Sequence, residues 1–336
     1  MAWKEPDTMK RSYPIRRLIA GYFIIAAAGI SVPVYVIAQT HRIGVLTPGL
    51  TFEPALDGLK EGLERLGFRP DKELSFAVQD TKGSNSDLAE PIKKILEFRP
   101  SVLFAVTTAH AVAVKQLAGE LPIVFVWVSD PVKSGLTTGY GNSKSNATGI
   151  MSHSVLLSGK RLEVLKELVP GVKRILALVA AKDGISLDSL KLVESSAEKL
   201  RIEIVRREVS SREDIEKALA ALPRGAVDAI YHVPSVLAST HIDMLIKKSK
   251  QEKLPMITHE TTMAERGALF SYGADFHQSG LQSARLLAKI LKGGKPSEIP
   301  TEAPDKLVLV INQTTAKLLG SRISREAMSR VDRIVE

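Results

Sequence analysis

The 336-residue chain contains no cysteine. Disulfides, cysteine-ligated metals, thiol catalysis and lipid attachment through an N-terminal cysteine are therefore excluded. Aromatic residues make up only 5% of the chain, too few for a surface on which nucleic-acid bases stack. Catalytic signatures are missing too: there is no Gly-x-Ser-x-Gly elbow, no Gly-x4-Gly-Lys-Ser/Thr phosphate loop and no Gly-x-Gly-x-x-Gly after the first strand. The histidines (His41, His110, His153, His232, His241, His259 and His277) never stand at the i, i+4 spacing of a helical zinc pair. No metal and no cofactor is expected.

The formal charge of +9 is partly local. Residues 1–38 carry five basic and two acidic side chains, which leaves 41 basic and 35 acidic residues, a net of +6, in the remainder. Those charges are dispersed through helix-like segments without a basic run, as on solvated helix faces, and nucleic acid is not an expected partner.

What is present begins with an export signal. Lys10, Arg11, Arg16 and Arg17 precede an uncharged, mostly apolar run over 18–38. A positive flank, an apolar stretch and small residues at its end describe a secretory signal, with Val36-Ile-Ala38 as the cleavage site. The run is also nearly long enough to span a bilayer, so residues 1–38 are either a signal peptide or an N-terminal membrane anchor. Both place the rest of the chain outside the cytoplasm, periplasmic or extracytoplasmic.

Beyond residue 40 short apolar runs alternate with segments of helical periodicity. Strands are expected over 43–47, 74–79, 102–106 and 123–128, with helices over 54–66, 88–98 and 109–118 between them. Residues 131–149 read as loop. The alternation then resumes: helices over 159–169, 187–200, 212–222 and 237–251, and strands over 175–180, 202–209, 227–233 and 255–258. A tail adds strands over 268–272 and 307–311 and helices over 279–291 and 313–319. This order predicts an α/β protein of two Rossmann-like lobes, each a parallel sheet flanked by helices.

In open parallel sheets, ligands sit beyond the carboxyl ends of the strands. Polar or aromatic residues at those ends are therefore the candidate ligand-binding set. They are Thr47 with Phe52 in the loop after it, Thr107 and Thr108, Ser129 and Asp130, Pro234 and Ser235, and Tyr272 with Asp275. Each Thr or Ser has an alternative use as the cap of its own helix. Asp130, ahead of Pro131, has one as a turn residue, and Trp127 within its apolar strand reads as core.

At these residues the chain resembles the exported substrate-binding proteins of ABC transporters in the ABC-sub-bind family, which includes tryptophan- and tyrosine-binding members. The phrases that carry the resemblance include Ile43-Gly-Val-Leu46, Leu121-Pro-Ile-Val-Phe125, Val128-Ser-Asp-Pro-Val132, Asn146-Ala-Thr-Gly149 and Leu168-Val-Pro-Gly-Val-Lys173. Further on come Gly267-Ala-Leu-Phe-Ser-Tyr-Gly273, Ile290-Leu-Lys-Gly-Gly-Lys-Pro296 and Ile311-Asn-Gln-Thr-Thr-Ala-Lys317. The resemblance implies a type I periplasmic-binding-protein fold. It places lobe 1 at 41–131 plus 275–298 and lobe 2 at 132–274 plus 299–336, with the helix over 279–291 in the first and the last strand in the second. It implies a non-enzymatic, monomeric protein that closes on a small organic ligand, an amino acid or carboxylate-like, and docks on an ABC permease. A membrane-anchored extracytoplasmic sensor built on the same lobes is the alternative. Two departures stand out. Thr107-Thr108 replaces a frequent Gly-Thr, and Ala180-Ala181 replaces a frequent Asn-Pro, removing a polar contact there.

Overall fold

The computed structural model describes residues 40–336 except 50, 51, 142, 143, 322 and 324. The expected export segment, residues 1–38, thus lies outside the described residues. None of the described helices is long and apolar enough to cross a membrane.

The first half alternates strand and helix: β1 (His41–Thr47), α1 (Glu53–Arg65), α2 (Pro70–Glu73), β2 (Leu74–Asp80), α3 (Ala89–Glu97), β3 (Val102–Val106), α4 (Thr108–Leu117), β4 (Ile123–Val128) and β5 (Ala147–Met151). These strands form one sheet in the order β2-β1-β3-β4-β5, with every pair parallel. β3 and β4 are buried along their whole length, as a sheet covered on both faces requires.

The second half continues with α5 (Ser158–Leu168), β6 (Arg174–Ala180), α6 (Gly184–Leu200), β7 (Glu203–Val209), α7 (Arg212–Ala220), β8 (Ala229–Tyr231), α8 (Val236–Thr240), α9 (Ile242–Glu252), β9 (Met256–Thr258), α10 (Thr261–Glu265) and β10 (Phe270–Ala274). After α11 (Phe276–Leu291) come β11 (Leu307–Asn312), α12 (Gln313–Leu319), α13 (Arg325–Met328) and β12 (Arg333–Val335). Here the strands form a second sheet, β12-β11-β10-β9-β8-β6-β7, parallel except between β10 and β11. Each sheet has apolar clusters on both faces. In the first sheet, Leu59 and Leu287 pack on one side and Ile92 and Val114 on the other. In the second, Leu165 and Val193 face Ile215 and Leu245 across the strands. The expected α/β class with two Rossmann-like lobes is what the chain adopts.

Late in the chain, α11 returns to the first sheet. Its Leu286 and Leu287 join Ile43, Val45 and Leu59 in one cluster. Small residues at matched spacing let α1 and α11 come close: Gly58 and Gly62 on one, Gly280 and Ala284 on the other. A Cβ at Gly58 would stand 2.1 Å from the His277 carbonyl oxygen, and one at Gly280 would stand 2.1 Å from that of Ala55.

Residues 147–149, expected in a loop, belong to β5, so the first sheet extends past the anticipated boundary at 131/132. The strand escaped notice because Ala147, Thr148 and Gly149 are small rather than strongly apolar. Gly149 pairs beside Phe125 of β4, so close that a Cβ there would come within 2.0 Å of the Phe125 carbonyl oxygen. The helix expected over 237–251 is instead two, α8 and α9, divided at His241. The strand expected over 268–272 runs from Phe270 to Ala274, so Tyr272 sits in mid-strand rather than at its end.

Gly58→Ala is expected to lower stability by roughly 1–3 kcal/mol, because the added methyl meets backbone that must move. Gly171→Ala, at a position with nothing within 4 Å, is the control. Urea unfolding of both variants checks the difference, and equal stability would show that the helices separate freely.

Candidate functional site

The carboxyl ends of strands from both sheets open onto one cleft, made of two adjoining chambers of about 940 Å³ and about 590 Å³. Thr108, Ser129, Asp183, Gly184 and Ile185 border both. Of the candidate residues, the cleft brings together Phe52, Thr107, Thr108, Ser129, Pro234 and Ser235 around the larger chamber, with Asp130 on the smaller.

Three candidates are placed elsewhere. Thr47 is buried at the end of β1 and does not border either chamber. Tyr272 packs its half-buried ring against the core of the second sheet, while its carbonyl accepts from Arg161 Nε at 2.9 Å. Asp275 caps α11, accepting from the Gln278 N–H at 3.1 Å, and accepts from the Thr261 hydroxyl at 3.3 Å. The fully buried Arg161 fixes this region, since Nη1 also reaches the Tyr231 hydroxyl at 3.3 Å and Tyr231 donates to the Ser158 carbonyl at 2.7 Å. These contacts give Tyr272 and Asp275 a structural use.

The residues that do face the cleft divide between capping and exposure. Ser235 caps α8 by accepting from the Ala238 N–H at 3.1 Å. Asp130 accepts from the N–H groups of Val132 and Lys133, at 3.0 and 2.9 Å, and from the Tyr140 hydroxyl at 3.1 Å, so the turn use holds. The Thr108 hydroxyl accepts from the Ser129 N–H at 3.1 Å, tying two strand ends together. Thr107 stands at the head of α4 without making a side-chain cap, which leaves the first-turn N–H groups of that helix available. Lys133, between β4 and β5, forms an ion pair with Asp188 on α6, linking elements of the two sheets at the cleft.

Backbone strain concentrates here. Thr107 holds φ 76° and ψ 160°, a region that is almost exclusive to glycine. Trp127 holds φ 62° at a β-bulge where the β4–β5 register shifts between Val126 and Val128. The bulge turns the indole out of strict alternation, so Trp127 borders the larger chamber while its ring packs 4.0 Å from Phe276, centroid to centroid. Phe52 extends the aromatic stack at 4.8 Å from Phe276. The core reading of Trp127 is therefore half of the account.

The strand-end set above omits Asp80 at the end of β2 and Lys82 after it, Lys182 and Asp183 after β6, and His259 and Glu260 after β9. The rule that found Thr107 would have found these too, had it been applied to the charged ends as well as the small polar ones.

His110 supports the chamber from behind. It is buried on α4, with Nδ1 at 3.0 Å from the Thr107 hydroxyl and Nε2 at 2.8 Å from that of Thr81. Burial pushes its pKa down from 6.5 to about 4. Deeper still, His232 is held neutral by burial and by the nearby His259 and Arg161.

The profile of the ABC transporter substrate binding protein family matches residues 43–334, and the chain belongs to that family. A curated relative, the tyrosine-binding protein of Clostridioides difficile (strain R20291), is 25% identical over 274 residues, 80% of this chain and 79% of the relative. A solved conserved domain protein from Vibrio cholerae O1 biovar El Tor is 28% identical with a TM-score of 0.78, covering 88% of this chain and 100% of its own. The fold is shared as well with an ABC domain from Streptococcus pneumonia solved in complex with L-Trp, at 23% identity, TM-score 0.79 and the same coverage of both chains.

Two outcomes are expected. Thr107→Gly relieves the backbone that Thr107→Ala retains, while both lose the bond to His110; the Gly variant should be the more stable by roughly 1–3 kcal/mol in chemical unfolding. For His110, the unfolded chain binds a proton between about pH 6.5 and about pH 4 while the folded one does not, so stability falls as pH is lowered through that window. The loss reaches roughly 3 kcal/mol. Unfolding at about pH 7 and about pH 4.5 measures it, and His110→Gln should flatten part of the slope.

Proposed function

We propose that the chain is the extracytoplasmic solute-binding component of an ABC importer, without catalytic activity of its own. In this reading a small organic ligand, an amino acid or carboxylate-like molecule, enters between the lobes, hinge closure covers it, and the closed monomer docks on a membrane permease. The supporting observation is the convergence of polar strand ends from two separate sheets on one cleft of about 940 Å³, a size and lining suited to small organic molecules. Ligand chemistry is shared out by charge. The uncapped start of α4, with the Thr107 and Thr108 hydroxyls beside it, suits a carboxylate, because helix N-terminal N–H groups attract anions. Phe52 and Trp127 offer an apolar wall. The connections from β5 to α5, from β10 to α11 and from α11 to β11 form a multi-stranded hinge, and a ligand that prefers the closed arrangement shifts the population toward it. The relatives that bind tyrosine and tryptophan favour an aromatic amino acid among the candidates.

Trp127 supplies the test. In a Trp3→Phe variant it is the single tryptophan of the chain, and its fluorescence should change saturably on titration with aromatic amino acids or small carboxylates. Changing Thr107 and Thr108 together to Ala should then weaken binding about tenfold, the equivalent of roughly 1.4 kcal/mol of charge-assisted hydrogen bonding. Silence across the ligand set would defeat the solute-binding reading, and unchanged affinity in the double variant would remove α4 from the site.

A further inference from the structure

Two residues bordering the larger chamber carry a buried side-chain polar atom that has no hydrogen-bond partner: Trp127, at Nε1, and Glu260, at Oε2. Their relative exposures are 7% and 3%. A buried carboxylate oxygen without a donor costs far more than an exposed one, and folded proteins rarely tolerate it without use.

Glu260 follows β9 in the second sheet, across the cleft from the start of α4. Its other oxygen, Oε1, is 3.1 Å from His259 Nε2 and 3.4 Å from the Ser239 hydroxyl. Behind it the two imidazoles stack with centroids 5.0 Å apart, and His259 Nδ1 meets His232 Nδ1 at 3.1 Å. A contact between two Nδ1 atoms holds a single proton. If His259 supplied it while neutral, its bare Nε2 would face the carboxylate oxygen, lone pair against lone pair. With both rings neutral, the arrangement that satisfies both contacts has His232 donating from Nδ1, and His259 donating from Nε2 to Oε1. The imidazole pair thereby supports Glu260 as a carboxylate and directs both donors to Oε1, leaving Oε2 for something else.

Among the described residues no Lys or Arg forms an ion pair with Glu260. Of the cations on the same chamber, Arg266 is paired with Asp243 at 2.7 Å, and Lys82 and Lys182 are exposed. The acids Asp80 and Asp183 are already engaged by backbone N–H groups of Lys82 and of Ile185 and Ser186. Glu260 is thus the acid of this chamber with an unpartnered, desolvated oxygen.

We propose that Glu260 receives a protonated amine of the ligand, and that the His232–His259 pair is the positioning device that presents Oε2 to it. The proposal rests on the cleft being the ligand site and narrows the ligand to molecules that carry an ammonium group. The indole N–H of Trp127 is the complementary donor for an acceptor on the same molecule. An amine that reaches Oε2 forms a charge-assisted bond in a dry site, whereas an analogue lacking the amine leaves the carboxylate buried and unpaired.

The test is calorimetric titration of matched pairs: aromatic and aliphatic amino acids against their deaminated acids, and benzylamine against benzyl alcohol. The wild-type protein should bind the amine-bearing member of a pair at least about tenfold more tightly. Glu260→Gln, which keeps the shape and removes the charge, should bring the two members within about twofold of each other, with the loss falling on the amine. His259→Gln should lower amine affinity by a larger factor than it lowers any binding of the deaminated acids. Equal affinity within pairs in the wild type needs no variant and overturns the proposal, as does discrimination that survives Glu260→Gln. Binding of deaminated acids with silence from every amine would also overturn it while leaving the cleft as the ligand site. Amine binding without amino-acid binding would instead support Glu260 and defeat the amino-acid reading. Silence from all compounds overturns both.

Discussion

The close crossing of α1 and α11 is the contact on which the arrangement depends. Without it the chain would be two sheets joined by one connection, free to swing. By returning to the first sheet through Gly58 and Gly280, α11 makes the chain pass between lobes repeatedly, after β5, after β10 and before β11. Those passages hold the carboxyl ends of both sheets toward a common cleft. The absence of two Cβ atoms, each of which would meet backbone at 2.1 Å, thus bears on the geometry of a site built elsewhere.

Within that frame the cleft is strained and polar in ways a purely structural surface would not be. Thr107 is held in a backbone region normally reserved for glycine, Trp127 sits at positive φ on a bulge, and His110 is buried between two threonine hydroxyls. Strain of this kind persists where surrounding packing over-determines it, and it gathers where side chains must be aimed. The two lobes also differ in chemistry. The first offers hydroxyls and an open helix start, while the second offers a carboxylate backed by two imidazoles. A molecule that satisfies both would favour the closed arrangement, because neither lobe alone supplies both partners.

Much of this was legible in the chain. Short apolar runs alternating with helical periodicity define parallel strands and crossover helices, and the strand-end rule points to Thr107, Thr108, Ser129 and Ser235 from the sequence alone. Where it went astray the causes are particular. Tyr272 reads as a strand end, although β10 continues to Ala274 and its half-buried ring packs against the core of the second sheet. Asp275 caps the helix that follows, a local use that competes with ligand contact for any Asp at such a position. β5 leaves no apolar run because its first residues are small, and one of them, Gly149, is what lets it pair so closely beside β4.

Most of the order of strands and helices, the doubly covered sheets and the glycines available for close helix contact are determined by the sequence itself, since they follow from local periodicity and from which residues lack a side chain. Only the tertiary structure decided that His232, His259 and Glu260 meet, that Trp127 turns toward the cleft, and that Tyr272 and Asp275 serve the scaffold instead. Those outcomes depend on contacts between residues distant along the chain and on a one-residue bulge, and neither leaves a periodic trace in the order of amino acids.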